Sequence, residues 1–346
     1  MKSATAIAHT NIALVKYWGK RPDQGQDLNL PAVGSLSMTL DAYRTVTVIR
    51  PRVDRDRDRN HDRFLLDGAD MSGEPAAKIA RHLDRVWDVM GPGSGLRPSC
   101  EVDSTNHVPT AAGLASSASG FAALTLAAAG AFAGDAAGGS LVDDRGRLSG
   151  LARRGSGSAA RSLWGGFVRL DRGAAPDGSD CIAHQVAAHD YWDVKMLIVH
   201  TTTGAKKVGS TDGMEQCRRT SPYYDAWVDT SEQDLEEATR HLRDRNLRSL
   251  GEVMEHSCFK MHASMWASRP PLVYWNGGTI EVMREVQRAR DDGQLGWATS
   301  DAGPHVKVLC EAPAATRLAE RLRHVPGVVA VEILGVGPDP SVEVTS

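Results

Sequence analysis

Four short segments carry residue types that could bind or turn over a phosphorylated ligand. Pro109 to Ser119 reads PTAAGLASSAS and runs directly into an alanine-rich helical pattern. Gly113 and its flanking alanines let backbone N–H groups close on an anion, and the helix N-terminus behind them adds partial positive charge. Ser116 and Ser117 add hydroxyls for a phosphate or for Mg2+. Taken alone, an N-capped helix behind a tight loop explains the same letters better. Gly155 to Arg161 reads GSGSAAR, where Ser156 and Ser158 stand beside Arg154 and Arg161, a hydroxyl and guanidinium set suited to an anionic ligand. A surface turn accounts for it equally. The same letters fit the dinucleotide pattern G-x-G-x-x-[GA], but that pattern must follow a strand, and Ser149 to Arg154 has no β-branched residue.

Asn11 to Lys20 reads NIALVKYWGK. As a strand it puts Lys16, Trp18 and Lys20 on one face and Tyr17 on the other. Such a face suits a polyanion, or is a solvated edge. Thr299 to Pro304 reads TSDAGP, in which Gly303 and Pro304 fix a turn that presents Asp301. An aspartate is ionised at neutral pH and can accept a proton from a hydroxyl, although D-A-G-P in isolation is only a turn. None of the 12 histidines sits in H-E-x-x-H, and neither a G-x-S-x-G elbow nor a G-x-x-x-x-G-K-[ST] phosphate loop is present.

These segments need elements to hold them. Thr45 to Ile49 and Ser99 to Asp103 predict strands, and between them Arg52 to Arg63 (RVDRDRDRNHDR) predicts a solvated hairpin tip of balanced charge. Ala76 to Met90 and Ser116 to Ala133 predict helices, Phe167 to Leu170 a strand, and Arg172 to Ser179 a polar turn. Val194 to His200 predicts a buried strand, Ala315 to Arg323 a helix and Val328 to Leu334 a last strand. Ser231 with Asp234 predicts a capping box opening a long, broken helix towards Trp266. The alternation implies an α+β protein, residues 1–190 and 191–346 forming its two domains, in keeping with a length of 346.

Lys+Arg total 40 against Asp+Glu 43, so the net charge of −3 excludes a general nucleic-acid binder. The five cysteines show no C-x-x-C pair, which suits a reducing compartment. The N-terminus lacks the apolar run of a signal peptide, and Phe121 to Ala133 falls short of the ~20 residues of a membrane span. A cytoplasmic protein, with no membrane and no nucleic-acid partner, is the expectation.

NIALVKYWGK, LNLPAVGSLSMTL, PTAAGLASSASGFAAL, RRGSGSAARSLWGG and TSDAGPHV, in this order between residues 11 and 306, together resemble the diphosphomevalonate decarboxylase family of the GHMP kinase superfamily. The resemblance implies an N-terminal domain like the second domain of ribosomal protein S5, a C-terminal ferredoxin-like domain, and a homodimer. It implies ATP-dependent decarboxylation of (R)-mevalonate 5-diphosphate to isopentenyl diphosphate, with ATP as co-substrate and Mg2+. By the same resemblance Asp301 accepts the hydroxyl proton, Lys16 lies near it, and Arg161 holds the substrate's carboxylate side. Tyr17, Lys20, Ser156, Ser158 and Met214 contact substrate. Pro109, Ala112, Gly113, Leu114, Ala115, Ser116 and Ser117 cradle ATP, with Ser117 near the metal. The alternative is decarboxylation of mevalonate 5-phosphate, or a small-molecule kinase of the same fold. Arg21 to Leu28 is longer than usual for the family, Ala160 replaces a frequent Cys and His305 a frequent Asn.

Overall fold

A computed structural model of the chain describes residues 1–22, 28–52, 62–90, 96–107, 116–133, 144–202 and 208–345. In chain order the elements are β1 (Ser3–Val15), β2 (Ser35–Pro51), β3 (Arg63–Leu66), β4 (Ala69–Asp70), α1 (Gly73–Met90), β5 (Cys100–His107) and α2 (Ser116–Phe132). Next come α3 (Arg145–Gly155), a 3-10 turn over Gly157–Leu163, β6 (Phe167–Leu170), β7 (Ala183–Ala187) and β8 (Val194–His200). The chain continues with α4 (Ser210–Thr220), α5 (Tyr224–Arg243), α6 (Leu247–Trp266), α7 (Gly277–Asp291), β9 (Trp297–Ser300) and β10 (Val306–Glu311). It ends with α8 (Ala312–Arg323), β11 (Ala330–Leu334) and β12 (Ser341–Thr345).

Two sheets result, consistent with the expected α+β class. The first runs β12-β1-β2-β5-β3-β4, with β6 on β2 and β7 on β6; the second runs β11-β8-β10-β9. β12 carries the end of the chain back to β1, pairing Ser3 with Thr345. β1 explains how one strand serves both halves. Its first residues alternate in burial, while from Ala8 to Val15 every residue is buried. The alternating part lies under α2, whose Ala122, Ala123, Ala127, Ala128 and Ala131 are all fully buried. The later part places Ile12 and Leu14 in a core shared with Met196 and Ile198 of β8, Leu235 of α5 and Trp297 of β9. Each such aliphatic side chain contributes about 1.5–3 kcal/mol on burial. β1 therefore ends at the junction of the two sheets.

Four expectations need correction. β11 is not the last strand, because β12 follows it and joins the first sheet. The first strand does not continue through Lys20: β1 stops at Val15, and Gly19 takes a positive φ of 98°. Lys16, Trp18 and Lys20 thus share no strand face; Lys16 and Trp18 are buried. Ser231 caps nothing, because α5 starts at Tyr224 and Ser231 lies inside it, its hydroxyl donating to the carbonyl of Trp227. Serine satisfies itself on the preceding turn as readily as it caps. Most of the Arg/Asp run lies outside the described residues, but Asp62 is not solvated. It pairs with Arg97, both about 8% exposed, and accepts the N–H of Cys100 at 2.9 Å.

Candidate active site

Asp301 follows β9 directly, at the turn that leads into β10. That turn is pinned from several sides: Ser300 Oγ donates to the Gly303 carbonyl (3.0 Å), while Thr201 Oγ1 (2.9 Å) and Thr279 Oγ1 (2.6 Å) donate to the Pro304 carbonyl. Lys16 arrives from the end of β1 and places Nζ 2.7 Å from Asp301 Oδ1 and 3.0 Å from the Ala13 carbonyl. On the far side Lys307 of β10 places its Nζ 3.0 Å from Asp301 Oδ2. Two consecutive residues of α6 hold the pair in register. Ser257 Oγ accepts the Lys16 N–H at 3.0 Å, and Cys258 Sγ accepts the Ser300 N–H at 3.1 Å.

Both lysines are almost wholly buried, whereas the Asp301 side chain keeps 38% exposure, through the cleft. Burial would raise the Asp301 pKa, but the ammonium groups of Lys16 and Lys307 overrule it and hold the carboxylate far below the usual range. His262 of α6 stays neutral beneath them, its pKa lowered to about 3 by burial.

Across the cleft, the 3-10 turn carries Arg161, which is 2% exposed. Its Nη1 donates to Ser35 Oγ (2.7 Å) and its Nη2 to Asn11 Oδ1 (3.1 Å). Asn11 in turn donates to Ser162 Oγ (2.8 Å) and to the Ser158 carbonyl (3.1 Å). Among the described residues no carboxylate lies within ion-pair distance of Arg161. Burial lowers its pKa to about 10, against the opposing pull of Tyr17 and Asp301. A buried guanidinium resting on neutral groups is poised for an anion from outside. Tyr17 packs beside it, 5.9 Å from guanidinium carbon to ring centre, with a buried, unpartnered hydroxyl. The hydroxyls of Ser117, Ser156 and Ser158 form a row with spacings of 3.3 and 3.4 Å.

These side chains border a cleft of about 520 Å³, in the usual range for a small-molecule site. Tyr17, Lys20, Ser117, Ser156, Ser158, Arg161, Met214 and Asp301, all expected from sequence, line it; Lys16 reaches it through Asp301. Ser210, Thr211 and Met214 enter from the first turns of α4. Pro109, Ala112, Gly113, Leu114 and Ala115 lie outside the described residues, as does the side chain of Ser116. Next to the cleft, and sharing Lys78 and Ser117 with it, an apolar groove of about 250 Å³ is lined by Leu65, Leu66, Ile79, Val102, Phe121 and Leu124. Among the described residues no three His, Cys, Asp or Glu side chains cluster. The Ser117 hydroxyl at the cleft is a hard oxygen donor of the kind that suits Mg2+ bound chiefly by phosphate oxygens.

Sequence reasoning missed Lys307, Asn11, Lys78 and Met261. The first two left a signal: Lys307 is the lone charge in VKVLC, and Asn11 the lone amide leading NIALV. Among the departures from the family pattern, His305 is buried and accepts the Thr201 N–H at 3.3 Å, and Ala160 is buried.

Residues 8–183 match the family model described as the diphosphomevalonate decarboxylase-like N-terminal domain, and residues 196–332 that of the mevalonate 5-diphosphate decarboxylase C-terminal domain. The diphosphomevalonate decarboxylase of Danio rerio is 35% identical over 336 residues, covering 94% of this chain and 80% of its own. A structure described as MDDEF in complex with MVAPP, AMPPCP and magnesium superposes with a TM-score of 0.86 at 36% identity, covering 99% of each chain. The mevalonate diphosphate decarboxylase from Staphylococcus aureus gives 0.84 at 34% identity, covering 100% of this chain and 98% of that one.

Proposed function

The chain belongs to the diphosphomevalonate decarboxylase family, and from that premise we propose how its residues divide the work. The enzyme converts mevalonate 5-diphosphate and ATP into isopentenyl diphosphate, CO2, ADP and phosphate. A tertiary hydroxyl leaves poorly. Its oxygen therefore takes the γ-phosphoryl group as its bond to the β-phosphate oxygen breaks, and the hydroxyl proton passes to Asp301. The C3–O bond then breaks, phosphate departs, and the electron pair of the C–COO− bond becomes the alkene as CO2 is released.

Positioning and charge stabilisation dominate phosphoryl transfer. Asp301 orients the hydroxyl and receives its proton. Lys16 offsets charge on the transferring group. Arg161 receives the substrate carboxylate, for which Asn11 and Ser35 hold it in place. Tyr17, Lys20 and the row Ser156 and Ser158 take the diphosphate and neighbouring oxygens, and Met214 lies against the substrate. That diphosphate is remote from C3, so its binding energy goes into orientation. The segment from Pro109 to Ser117 cradles the ATP phosphates, and the adjoining apolar groove receives the adenine. Mg2+, when bound, would neutralise phosphate charge, and the Ser117 hydroxyl at the cleft would help to hold it.

The observation that carries this reading is the buried, carboxylate-free Arg161 facing the lysine-clamped Asp301 across one cleft. Product analysis with ATP, Mg2+ and each mevalonate phosphate tests it. Stoichiometric CO2 and ADP from the diphosphate are expected. ADP without CO2 would make the protein a kinase, and turnover confined to the monophosphate would reassign the substrate.

No helix among the described residues is long and apolar enough to cross a membrane. A cytoplasmic homodimer completes the proposal. Its five free, buried thiols support the compartment, and Phe259 and Trp266, about 40% exposed on α6, offer apolar surface for a second copy. Sedimentation tests the assembly.

A further inference from the structure

Lys307 has no evident structural reason to be a lysine. Its strand, β10, is an inner strand of the second sheet, and Val306, Val308, Leu309 and Cys310 around it are fully buried. Lys307 itself is 3% exposed. An apolar side chain of the same length would satisfy the packing of this strand without burying a charge. What the ammonium does instead is hold two oxygens at the turn, Asp301 Oδ2 at 3.0 Å and, more weakly, the His305 carbonyl at 3.4 Å.

The other carboxylate oxygen belongs to Lys16, at 2.7 Å. An aspartate's terminal torsion is soft, so one anchor on Oδ1 leaves the carboxylate free to swing its plane. A second anchor on the opposite oxygen removes that freedom and fixes the direction in which the remaining lone pairs face the cleft. The groups that face Asp301 are otherwise cationic or neutral: Arg161 across the cleft, and His262 and Cys258 from α6. No other fixed anion competes for Lys307 among the described residues.

We propose that Lys307 is a positioning residue that locks the plane of the Asp301 carboxylate towards the substrate hydroxyl and acts on turnover only through that carboxylate. This rests on the assignment of Asp301 as the proton acceptor. The substrate is bound mainly through Arg161, the serines and the diphosphate contacts, so loss of Lys307 acts on kcat and leaves KM nearly alone.

A double-mutant cycle on the full chain decides it. Lys307→Met is expected to lower kcat by ~10-fold to ~100-fold, the cost of a misplaced reacting group, with KM for mevalonate 5-diphosphate changed less than about threefold. In the Asp301→Asn background the same substitution is expected to change kcat by less than about threefold, because two residues acting as one unit do not add. A merely structural lysine gives multiplicative losses. Either multiplicative losses, or a Lys307→Met enzyme with undiminished kcat beside an impaired Asp301→Asn enzyme, overturns the role of Lys307 alone. An Asp301→Asn enzyme with full activity overturns the proton-acceptor assignment, and the proposal with it. If the Met variant does not fold, Lys307→Gln enters the cycle and the same inequalities apply.

Discussion

Arg161 and Asp301 are opposite solutions to burying a charge. Asp301 is balanced by two ammonium groups already present in the fold, while Arg161 rests on the neutral oxygens of Asn11 and Ser35. The first is finished without substrate; the second is not. Replacing Arg161 by Met is therefore expected to lower kcat/KM by ~10²-fold or more, the scale of losing one partner of a buried charge pair, while thermal stability holds or rises. Melting curves beside steady-state kinetics check this, and a variant that merely unfolds would make Arg161 structural. Asp301→Asn is expected to lower kcat by ~10²-fold to ~10⁴-fold, as for loss of a general base, with ATP binding by calorimetry preserved. Undiminished turnover would remove it from the chemistry. Asp301 and Arg161 stood out in the sequence as charged residues beside turns, but a plain turn explained each equally, and their roles came only with the family resemblance. Lys307 showed only as a lone charge in an apolar run, because its meaning depends on a hairpin register that pairs it with Thr299 and sends its side chain back to the turn.

At the scale of elements, the local patterns carried most of the strands and helices, and failed where a tertiary contact decided a boundary. The alternation of Asn11 to Lys20 favours a strand, but β1 ends at Val15: the next N–H, that of Lys16, is taken by Ser257 Oγ, and Gly19 lies against Tyr224, where a Cβ would come within 2.1 Å of the phenol oxygen. Ser231 looks like a cap, but the helix starts about two turns upstream at Tyr224, and Trp227 inside it is buried at 1% and donates to the Trp18 carbonyl. Glycines inside the GSGSAAR segment obey a similar constraint. The 3-10 turn packs so closely on Tyr17 that a Cβ at Gly157 would sit 2.1 Å from its hydroxyl oxygen. Gly157→Ala is accordingly expected to push the Tyr17 ring into the cleft, raising KM for the diphosphate substrate and costing ~1–3 kcal/mol of stability, the range for overpacking. Equilibrium unfolding with kinetics measures both, and an unchanged KM would mean that Tyr17 stands clear of the substrate.

Across the whole molecule, burial disfavours the charged form of three imidazoles, those of His9, His82 and His262. His82 of α1 is fully buried against α2, its Nε2 2.8 Å from Thr125 Oγ1. Thr125 donates its own proton to the Phe121 carbonyl at 2.6 Å, so it accepts from His82, and the proton must sit on Nε2. Nδ1 has no partner, and a second proton there would be a buried donor without an acceptor. Burial lowers the pKa of His82 to about 3, as it does for His262 under the Lys16 and Asp301 pair, and His9 is lowered in the same sense. For each, the unfolded chain binds protons more readily than the folded one below the ordinary imidazole pKa. Stability is thus whole above pH ~6.5 and is lost as the pH falls towards the depressed folded value, by up to ~1.4 kcal/mol per pH unit for each imidazole. The paired carboxylates, Asp301 among them, hold their contribution until the pH drops below the usual carboxylate range, so between pH ~6.5 and ~4.5 the histidines dominate the slope. Urea unfolding across that window is expected to show falling stability, and His82→Gln, which keeps a donor for Thr125 but cannot titrate, is expected to flatten the slope by about one imidazole's share. A wild-type stability that stays level from pH 7 to pH 4.5 would mean these rings find acceptors on protonation, and the two-helix contact around Thr125 is looser than its geometry indicates.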